Sequence, residues 1–341
     1  MKKFIIRLLS FLGILLIGLV LLNTILPVYW GNLEFAIKAG QVASTSKKSE
    51  ILFVGSSRTY RQVIPSIISD SLQVNSYNLG SYATYGAECI ALTRSYIFKE
   101  LQPKFLVLEL QNIQEISDGN LNTARSNYYI DYTTYKFVCD YYNSLDDWST
   151  DRKEKAIDNY KTSFLKRTFF YGTLKDAIYY IKGPKVDERM VKLSDNGFYS
   201  LETQLAAKKA AQSLKNRRAK FLVDPSQLLN RRNSIDSIYN HQNGSKANKV
   251  FLTQLTQLIE LGKKCDIKVV YVLYPKMNPD DYTRLLPIAN AIPEDNLIDL
   301  ANPVLYPDLY EIENSFDLGH LNDKGAYLLS HQLAKKLKTL Q

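Results

Sequence analysis

The chain has 341 residues, of which 45% are hydrophobic and 23% are charged. This composition is typical of a globular protein and excludes long disorder, collagen and coiled coil as the main architecture. The net charge at pH 7 is +9. The three cysteines are too few for a disulfide framework, and their spacing is unlike that of zinc or iron–sulfur ligands.

The N-terminal residues predict a membrane anchor. Residues 8–28 form 21 consecutive positions without a charge, and a helix that spans a membrane needs about 20. Lys2, Lys3 and Arg7 precede this stretch, so the positive-inside rule predicts a cytoplasmic N-terminus and an extracytoplasmic body. No small-residue cleavage site follows closely, which favours an uncleaved anchor over a removed signal. We therefore expect residues 1–30 to form a cytoplasmic tip and a single transmembrane helix in the cell membrane.

The body is predicted to be an α/β domain. Residues 31–49 are small and polar, and we interpret them as a juxtamembrane linker. Short apolar runs then alternate with helical patterns. This alternation predicts a three-layer α/β/α domain over residues 50–341, with a parallel sheet of about five strands. The predicted strands are residues 51–54, 74–79, 105–110, 267–274 and 296–300, and the predicted helices include residues 64–72, 86–101 and a final helix capped by Asn322 or Asp323.

A long insertion separates the third and fourth predicted strands. Residues 111–266 are too many for a simple connection, so we interpret residues 115–262, approximately, as an inserted and mostly helical cap. Its first part, residues 127–142, is rich in tyrosine. These rings suit either sugar stacking in a cleft or packing in the insertion's own core.

One segment of the insertion is strongly basic. Residues 208–232 hold eight lysines and arginines, against Asp224 as the one acidic residue. In the cytosol, such a segment would indicate nucleic acid as a partner. Outside the membrane, where the anchor places the body, it indicates anionic lipid headgroups or an acidic polysaccharide, with a solvated helix face as the simplest alternative. We therefore predict no nucleic-acid partner.

Two short motifs carry residues suited to nucleophilic catalysis. Ser57 follows the first predicted strand, in the sequence Gly55-Ser56-Ser57-Arg58, and parallel sheets bind ligands beyond the carboxyl ends of their strands. Asp317 and His320 are three residues apart, a spacing that places both on the same side of one helical turn. The carboxylate can then hold one ring nitrogen while the other faces a serine.

The remaining polar candidates near these motifs are weaker. His241 lies in a loop-like stretch, and His331 lies beside the apolar stripe of the final helix, so His320 is the candidate base by elimination. Arg58, next to Ser57, either contacts an anionic group of the substrate or is an exposed loop residue.

Together these blocks resemble the SGNH hydrolase family, also called GDSL-like esterases. The similarity covers residues 51–110 and 267–341 and leaves the insertion unmatched. It implies an SGNH- or flavodoxin-like fold, with Ser57 as the nucleophile and with Asp317 and His320 as its partners. It implies neither a cofactor nor a metal.

The resemblance also implies an oxyanion hole. Gly80 matches the glycine of the family's second block, and its N–H would act together with that of Ser57. The third block departs from the family's Gly-x-Asn-Asp, because only Asn112 is kept. Asn112 is therefore the expected third donor, and Gln111 could substitute for it. Ser56 stands where the family often has an aspartate.

The anchor and the Gly-Ser-Ser-Arg variant look most like SGNH-type proteins of cell-envelope systems, which handle acyl groups on polysaccharides or teichoic acids. The implied activity is that of an extracytoplasmic serine esterase or O-acyltransferase acting on acyl groups, in particular acetyl, of an envelope polysaccharide. A membrane acyl-transfer protein is a further candidate partner. An α/β-hydrolase is disfavoured because Thr59 replaces the last glycine of Gly-x-Ser-x-Gly. The alternative is a non-catalytic, membrane-tethered binding or scaffold subunit of an envelope-polysaccharide assembly.

Overall fold

A five-stranded sheet forms the centre of the protein. The structure is a computed structural model and describes residues 1–25, 33–44, 49–82, 84–116, 130–169, 196–207, 211–241 and 246–340. The strands are β1 (Ile51–Val54), β2 (Ser76–Asn78), β3 (Phe105–Glu109), β4 (Lys268–Leu273) and β5 (Leu297–Asp299). Their order is β2-β1-β3-β4-β5, and every neighbouring pair is parallel. The predicted α/β class and the five-stranded parallel sheet are confirmed.

The apolar sequence pattern predicted the positions of the buried strands best. All four residues of β1 are buried, as are the last five residues of β4. Continuous apolar runs of this kind are typical of parallel strands, which are covered on both faces. The edge strands β2 and β5 have three residues each and are shorter than predicted, because each pairs with only one neighbour.

Helices make up most of the other described residues. Before the insertion they are α1 (Lys2–Ile25), α2 (Leu33–Ser44), α3 (Ser57–Gln62), α4 (Pro65–Leu72) and α5 (Gly86–Leu92), which continues as a π-helix over Thr93–Leu101. The later helices are α6 (Tyr132–Asn143), α7 (Thr150–Phe169), α8 (Leu201–Ala206), α9 (Gln212–Val223), α10 (Ser226–Asn240), α11 (Lys249–Lys264), α12 (Pro279–Ala289) and α13 (Asp323–Lys338). Asn322 caps α13 as predicted, since its side chain accepts a hydrogen bond from the Gly325 N–H.

The segment predicted as a linker, residues 31–49, is instead largely helical. In α2, the side chains of Phe35, Ala39 and Val42 are buried in the main hydrophobic core. Their spacing of four and three residues places them on one face of the helix. The small residues around them concealed this pattern, and α2 belongs to the folded body.

Helix α1 corresponds to the predicted anchor. Its window Lys2–Leu21 is long and apolar enough to cross a membrane, and none of that window is buried within the protein. A buried helix of a soluble core is therefore excluded for this segment, although a signal sequence shares the same length and composition. Residues 26–28 of the predicted span lie outside the described residues.

The described part of the insertion is mostly helical, as predicted. The rings of Tyr141 and Tyr142 are buried, and they pack against Phe251 and Trp148 respectively. Trp148 stacks on Tyr142, and the centroid of the Trp148 ring lies 3.7 Å from the guanidinium carbon of Arg152. Tyr141 and Tyr142 therefore belong to the hydrophobic core, whereas Tyr132, from the same tyrosine-rich part, is exposed.

Candidate active site

Ser57 lies at the carboxyl end of β1, where a tight turn leads into α3. Ser56 caps this helix, and its side-chain oxygen accepts a hydrogen bond from the Arg58 N–H. No side chain fits at Gly55, because a Cβ there would lie 2.1 Å from Thr59 Oγ1. The turn places Ser57 beside the crevice between β1 and β3, where parallel sheets with this strand order bind ligands.

Asp317 and His320 lie in a tight loop before α13, not on the helical turn that their spacing suggested. The backbone N–H groups of Phe316 and Asp317 donate to the His320 carbonyl oxygen at 3.0 and 3.3 Å. Asp317 Oδ1 accepts from the N–H groups of Gly319 and His320, both at 2.8 Å. This turn, closed by an aspartate side chain, places the two side chains next to each other.

The structure brings Ser57, His320 and Asp317 together in hydrogen-bonding order. Ser57 Oγ lies 2.9 Å from His320 Nε2. The other ring nitrogen, Nδ1, lies 3.0 Å from Asp317 Oδ1 and 3.2 Å from Oδ2. These residues come from the two ends of the sheet domain, 263 positions apart in the case of Ser57 and His320. The arrangement is that of a nucleophile, a base and a group that orients the base.

The electrostatic environment keeps the imidazole neutral and the carboxylate charged. Burial lowers the pKa of His320 below its ordinary value, and this effect exceeds the opposing attraction of Asp317. Burial by itself raises the pKa of Asp317, but the hydrogen bond and charge of His320 and the charge of Arg217 lower it well below its usual range. At neutral pH, Nδ1–H therefore donates to Asp317, and Nε2 is free to accept the Ser57 proton.

The insertion also contributes to this site. Arg217, from α9, forms an ion pair with Asp317, with Nε 2.8 Å from Oδ2. Arg231, from α10, donates from Nη1 to the carbonyl oxygens of Lys276 and Leu318, both at 3.1 Å. Sequence reasoning located these arginines only as part of a basic segment. Lys208 and Lys209 of that segment lie outside the described residues.

Two of the three expected oxyanion donors are engaged elsewhere. The Gly80 N–H donates to Asn78 Oδ1 at 2.9 Å. The amide of Asn112 donates to Asp281 Oδ1 at 2.7 Å, and Asn112 lines a different cavity from the one beside His320. Both groups would have to exchange partners to bind an oxyanion. The Ser57 N–H opens α3, where the first N–H groups have no intrahelical partner.

The side-chain amide of Gln111, the possible substitute for Asn112, also contacts another residue. The Gln111 amide lies 3.5 Å from Cys89 Sγ, and its Oε1 atom is buried with no hydrogen-bond partner among the described residues. The described contacts therefore leave the third oxyanion donor open.

A buried carboxylate, that of Glu109, holds the turn between β1 and α3 that carries Ser57. Sequence reasoning missed this residue. It accepts hydrogen bonds from the Ser56 N–H at 2.6 Å, from Ser56 Oγ at 2.8 Å and from Thr59 Oγ1 at 3.0 Å. Arg58, expected to bind substrate or lie exposed, forms an ion pair with Glu109 at 3.5 Å and is 18% exposed. The signal was available, since a charged residue that ends a buried apolar strand requires partners.

A second missed residue, Lys276, lies behind the histidine loop. It is fully buried, has left-handed backbone geometry with φ 66°, and donates from Nζ to the His320 carbonyl oxygen at 3.1 Å. Its pKa is lowered to about 7, chiefly by burial, with Asp317 opposing the shift and the charges of Arg231 and Arg218 adding to it. A lysine three residues after the buried end of β4 was its only trace in the sequence.

A cavity of about 330 Å³ opens beside His320 and Asp317. Its opposite wall comes from the insertion and includes Arg217, Lys220, Phe221 and Arg231. Among the residues that the structure describes, no group of three histidine, cysteine or acidic side chains is placed to hold a metal ion.

Comparisons with known proteins add no relative to this picture. No protein-family model matches the chain, and searches of curated proteins and of solved structures find no match. The resemblance to SGNH hydrolases therefore rests on the motif residues and their placement alone.

Proposed function

We propose that the protein is a membrane-anchored, extracytoplasmic serine acyl hydrolase or O-acyltransferase that acts on acyl groups, in particular acetyl, of a cell-envelope polysaccharide. The observation that carries the proposal is the 2.9 Å separation of Ser57 Oγ and His320 Nε2, together with the contact between His320 Nδ1 and Asp317. The strand order and the location of both motifs at the carboxyl edge of the sheet support a three-layer, SGNH-like arrangement.

In the first half-reaction, Ser57 takes the acyl group from the substrate. His320 Nε2 accepts the hydroxyl proton as Ser57 Oγ attacks the ester carbonyl carbon, and a tetrahedral intermediate forms. When the intermediate collapses, the ester C–O bond breaks, and the imidazolium returns the proton to the leaving sugar oxygen. Asp317 stabilises the imidazolium throughout and stays charged.

In the second half-reaction, an acceptor hydroxyl releases the acyl group from Ser57. His320 removes the proton of water, which gives hydrolysis, or of a sugar hydroxyl, which gives transfer. The attack breaks the acyl–Ser57 bond, and the proton passes to Ser57 Oγ. The Ser57 N–H is the first oxyanion donor in this scheme, and each donor of this kind is worth about 3 kcal/mol of the barrier. Gly80 and Asn112 are the further donors once their present partners are displaced.

A non-catalytic scaffold is the second candidate function. The engaged N–H of Gly80 and the engaged amide of Asn112 favour it, because they leave an incomplete oxyanion hole. The short contact between Ser57 and His320 favours the enzyme.

Two adjacent serine variants test the proposal with an activated fluorophosphonate probe on the full chain in detergent. Ser57→Ala is expected to abolish labelling. Ser56→Ala is expected to retain labelling and to lose about 1–3 kcal/mol of stability, because it removes a helix cap and a hydrogen bond to the buried Glu109. Labelling that survives in Ser57→Ala but disappears in Ser56→Ala would move the nucleophile by one residue. Absence of labelling in the unmodified chain would favour the scaffold.

A further inference from the structure

The cavity beside His320 has a wall of cations supplied by the insertion. Arg217 and Lys220 lie one turn apart on α9, and Arg231 lies on the following helix, α10. All three line the cavity that contains His320 and Asp317. Positive charge is therefore concentrated in the cavity beside His320, the residue that contacts Ser57.

The charges of these residues are only partly compensated. Arg231 donates to three neutral acceptors: two carbonyl oxygens and the Asn278 side chain. Lys220 is exposed, and no described residue pairs with its ammonium group. Arg217 uses Nε for Asp317, which leaves its two terminal nitrogens for another partner.

Nearby carboxylates cancel only part of this charge. Asp317 is already held by Arg217 and by the triad histidine. Asp224, the other acid of the lining, accepts hydrogen bonds from the neutral side chains of Ser226 and Gln227 and keeps its negative charge. The three cations of the lining therefore outnumber its two carboxylates by one. Arg58 also lies near enough to lower the pKa of His320, but its charge is paired with that of Glu109.

We propose that this cavity binds an anionic group, a carboxylate or a phosphate, on the sugar unit whose acyl ester reacts with Ser57. This inference rests on the proposed function and defines its substrate class. Guanidinium and ammonium groups in this arrangement match the oxygens of both anions. The cavity volume of about 330 Å³ is at the lower end of the range for small-ligand sites.

The cavity lining suits a polar ligand better than an acyl chain. Phe221 and Leu318 are its only large apolar side chains among the described residues. A long acyl chain would have to lie against the cations and displace their water without hydrogen bonds, which is unfavourable.

Three acetylated methyl glycosides that share one sugar ring and differ at carbon 6 test the inference. They carry a hydroxymethyl group, a carboxylate or a phosphate ester at that position. For the full chain in detergent, we expect kcat/KM for at least one anionic glycoside to exceed that for the neutral one by about tenfold or more. This preference should shrink as ionic strength rises. The better of the two anionic substrates identifies the natural anion.

Variants that remove one positive charge test which residues cause the preference for anionic glycosides. Lys220→Gln and Arg231→Gln should each lower the ratio of anionic to neutral kcat/KM several-fold. Lys215→Gln is the matched control, because Lys215 is exposed on the same helix as Lys220 but does not line the cavity. Since Lys220 is also exposed, its variant is expected to fold even if Arg231→Gln does not. A ratio that Lys215→Gln lowers as much as Lys220→Gln would overturn the assignment.

Two outcomes separate this inference from the proposed function. Equal, Ser57-dependent hydrolysis of all three glycosides would overturn the anion site and leave the esterase intact. If no glycoside is hydrolysed, calorimetric titration of the same compounds into Ser57→Ala decides the question. Binding of an anionic glycoside that is lost in Ser57→Ala/Lys220→Gln would support the site without catalysis, and absence of binding would overturn it.

Discussion

At the scale of single residues, the position of the turn that carries Ser57 depends on Glu109 from the neighbouring strand. Its carboxylate accepts three hydrogen bonds from Ser56 and Thr59, on either side of Ser57. Glu109→Ala should lower stability by about 1–3 kcal/mol, because it leaves buried donors unsatisfied. It should also slow fluorophosphonate labelling well below the unfolding temperature, because Ser57 loses its fixed position.

A surface variant provides the control for Glu109. Glu50 pairs with Lys104, whose side chain is largely exposed, and Glu50→Gln should change stability by less than about 1 kcal/mol. It should leave the labelling rate unchanged. A Glu109→Ala chain that melts lower but labels at the normal rate would contradict a positioning role.

The pH dependence of labelling follows from His320. Because its pKa is lowered, the neutral base persists below the ordinary pKa of 6.5. The acidic limb of the labelling profile should therefore have its midpoint below pH 6.5, because His320 becomes protonated only as the pH decreases through its lowered folded-state pKa. The charge of Arg217 contributes to this lowering. In Arg217→Gln, the acidic limb of the pH–rate profile should move to higher pH, and a shift in the opposite direction would contradict this electrostatic account.

At the scale of secondary-structure elements, α2 packs beside the turn that carries Ser57. Its buried Lys38 donates to the Gly80 carbonyl oxygen and lies 3.6 Å from the centroid of the Tyr60 ring in α3. Phe35 is 2% exposed, so Phe35→Ala should cost about 3–5 kcal/mol in the free energy of unfolding. Ala43→Ser, on the exposed face of α2, should change it by no more than about 0.5 kcal/mol.

Denaturant unfolding of the chain in detergent measures both changes. Equal stability of the two variants would mean that α2 does not pack against the body. The same packing sets a limit for soluble forms, because a truncation that removes residues 1–48 deletes α2 and exposes the core that it covers.

At the scale of the whole molecule, the proposed function requires that the body lie outside the cytoplasm. A C-terminal reporter that is active only outside the cytoplasm should give a signal, because the charges at Lys2, Lys3 and Arg7 orient α1. A signal from a cytoplasmic reporter alone would reverse this topology and would make nucleic acid a candidate partner of residues 208–232. For the substrate, acetyl analysis of envelope polysaccharide from a strain that lacks the protein is the most informative experiment.

Local patterns in the sequence determined the α/β class, the buried strands β1, β3 and β4, and the apolar helix α1. They also located the pair Asp317 and His320, whose contact depends on a turn of only a few residues. These features were predictable because each depends on residues within one short segment of the chain. Burial on both faces of a sheet produces a continuous apolar run, and short-range hydrogen bonds join residues that are close in the sequence.

Only the tertiary structure decided which distant residues contact the segments that carry Ser57, Asp317 and His320. Glu109, Arg217 and Lys276 come from a neighbouring strand, from the insertion and from the loop after β4. The engaged N–H of Gly80 likewise reflects a contact that its motif does not show. These contacts depend on the strand order and on how the insertion folds back over the sheet edge. Neither leaves a local pattern, because each is set by the packing of elements far apart in the chain.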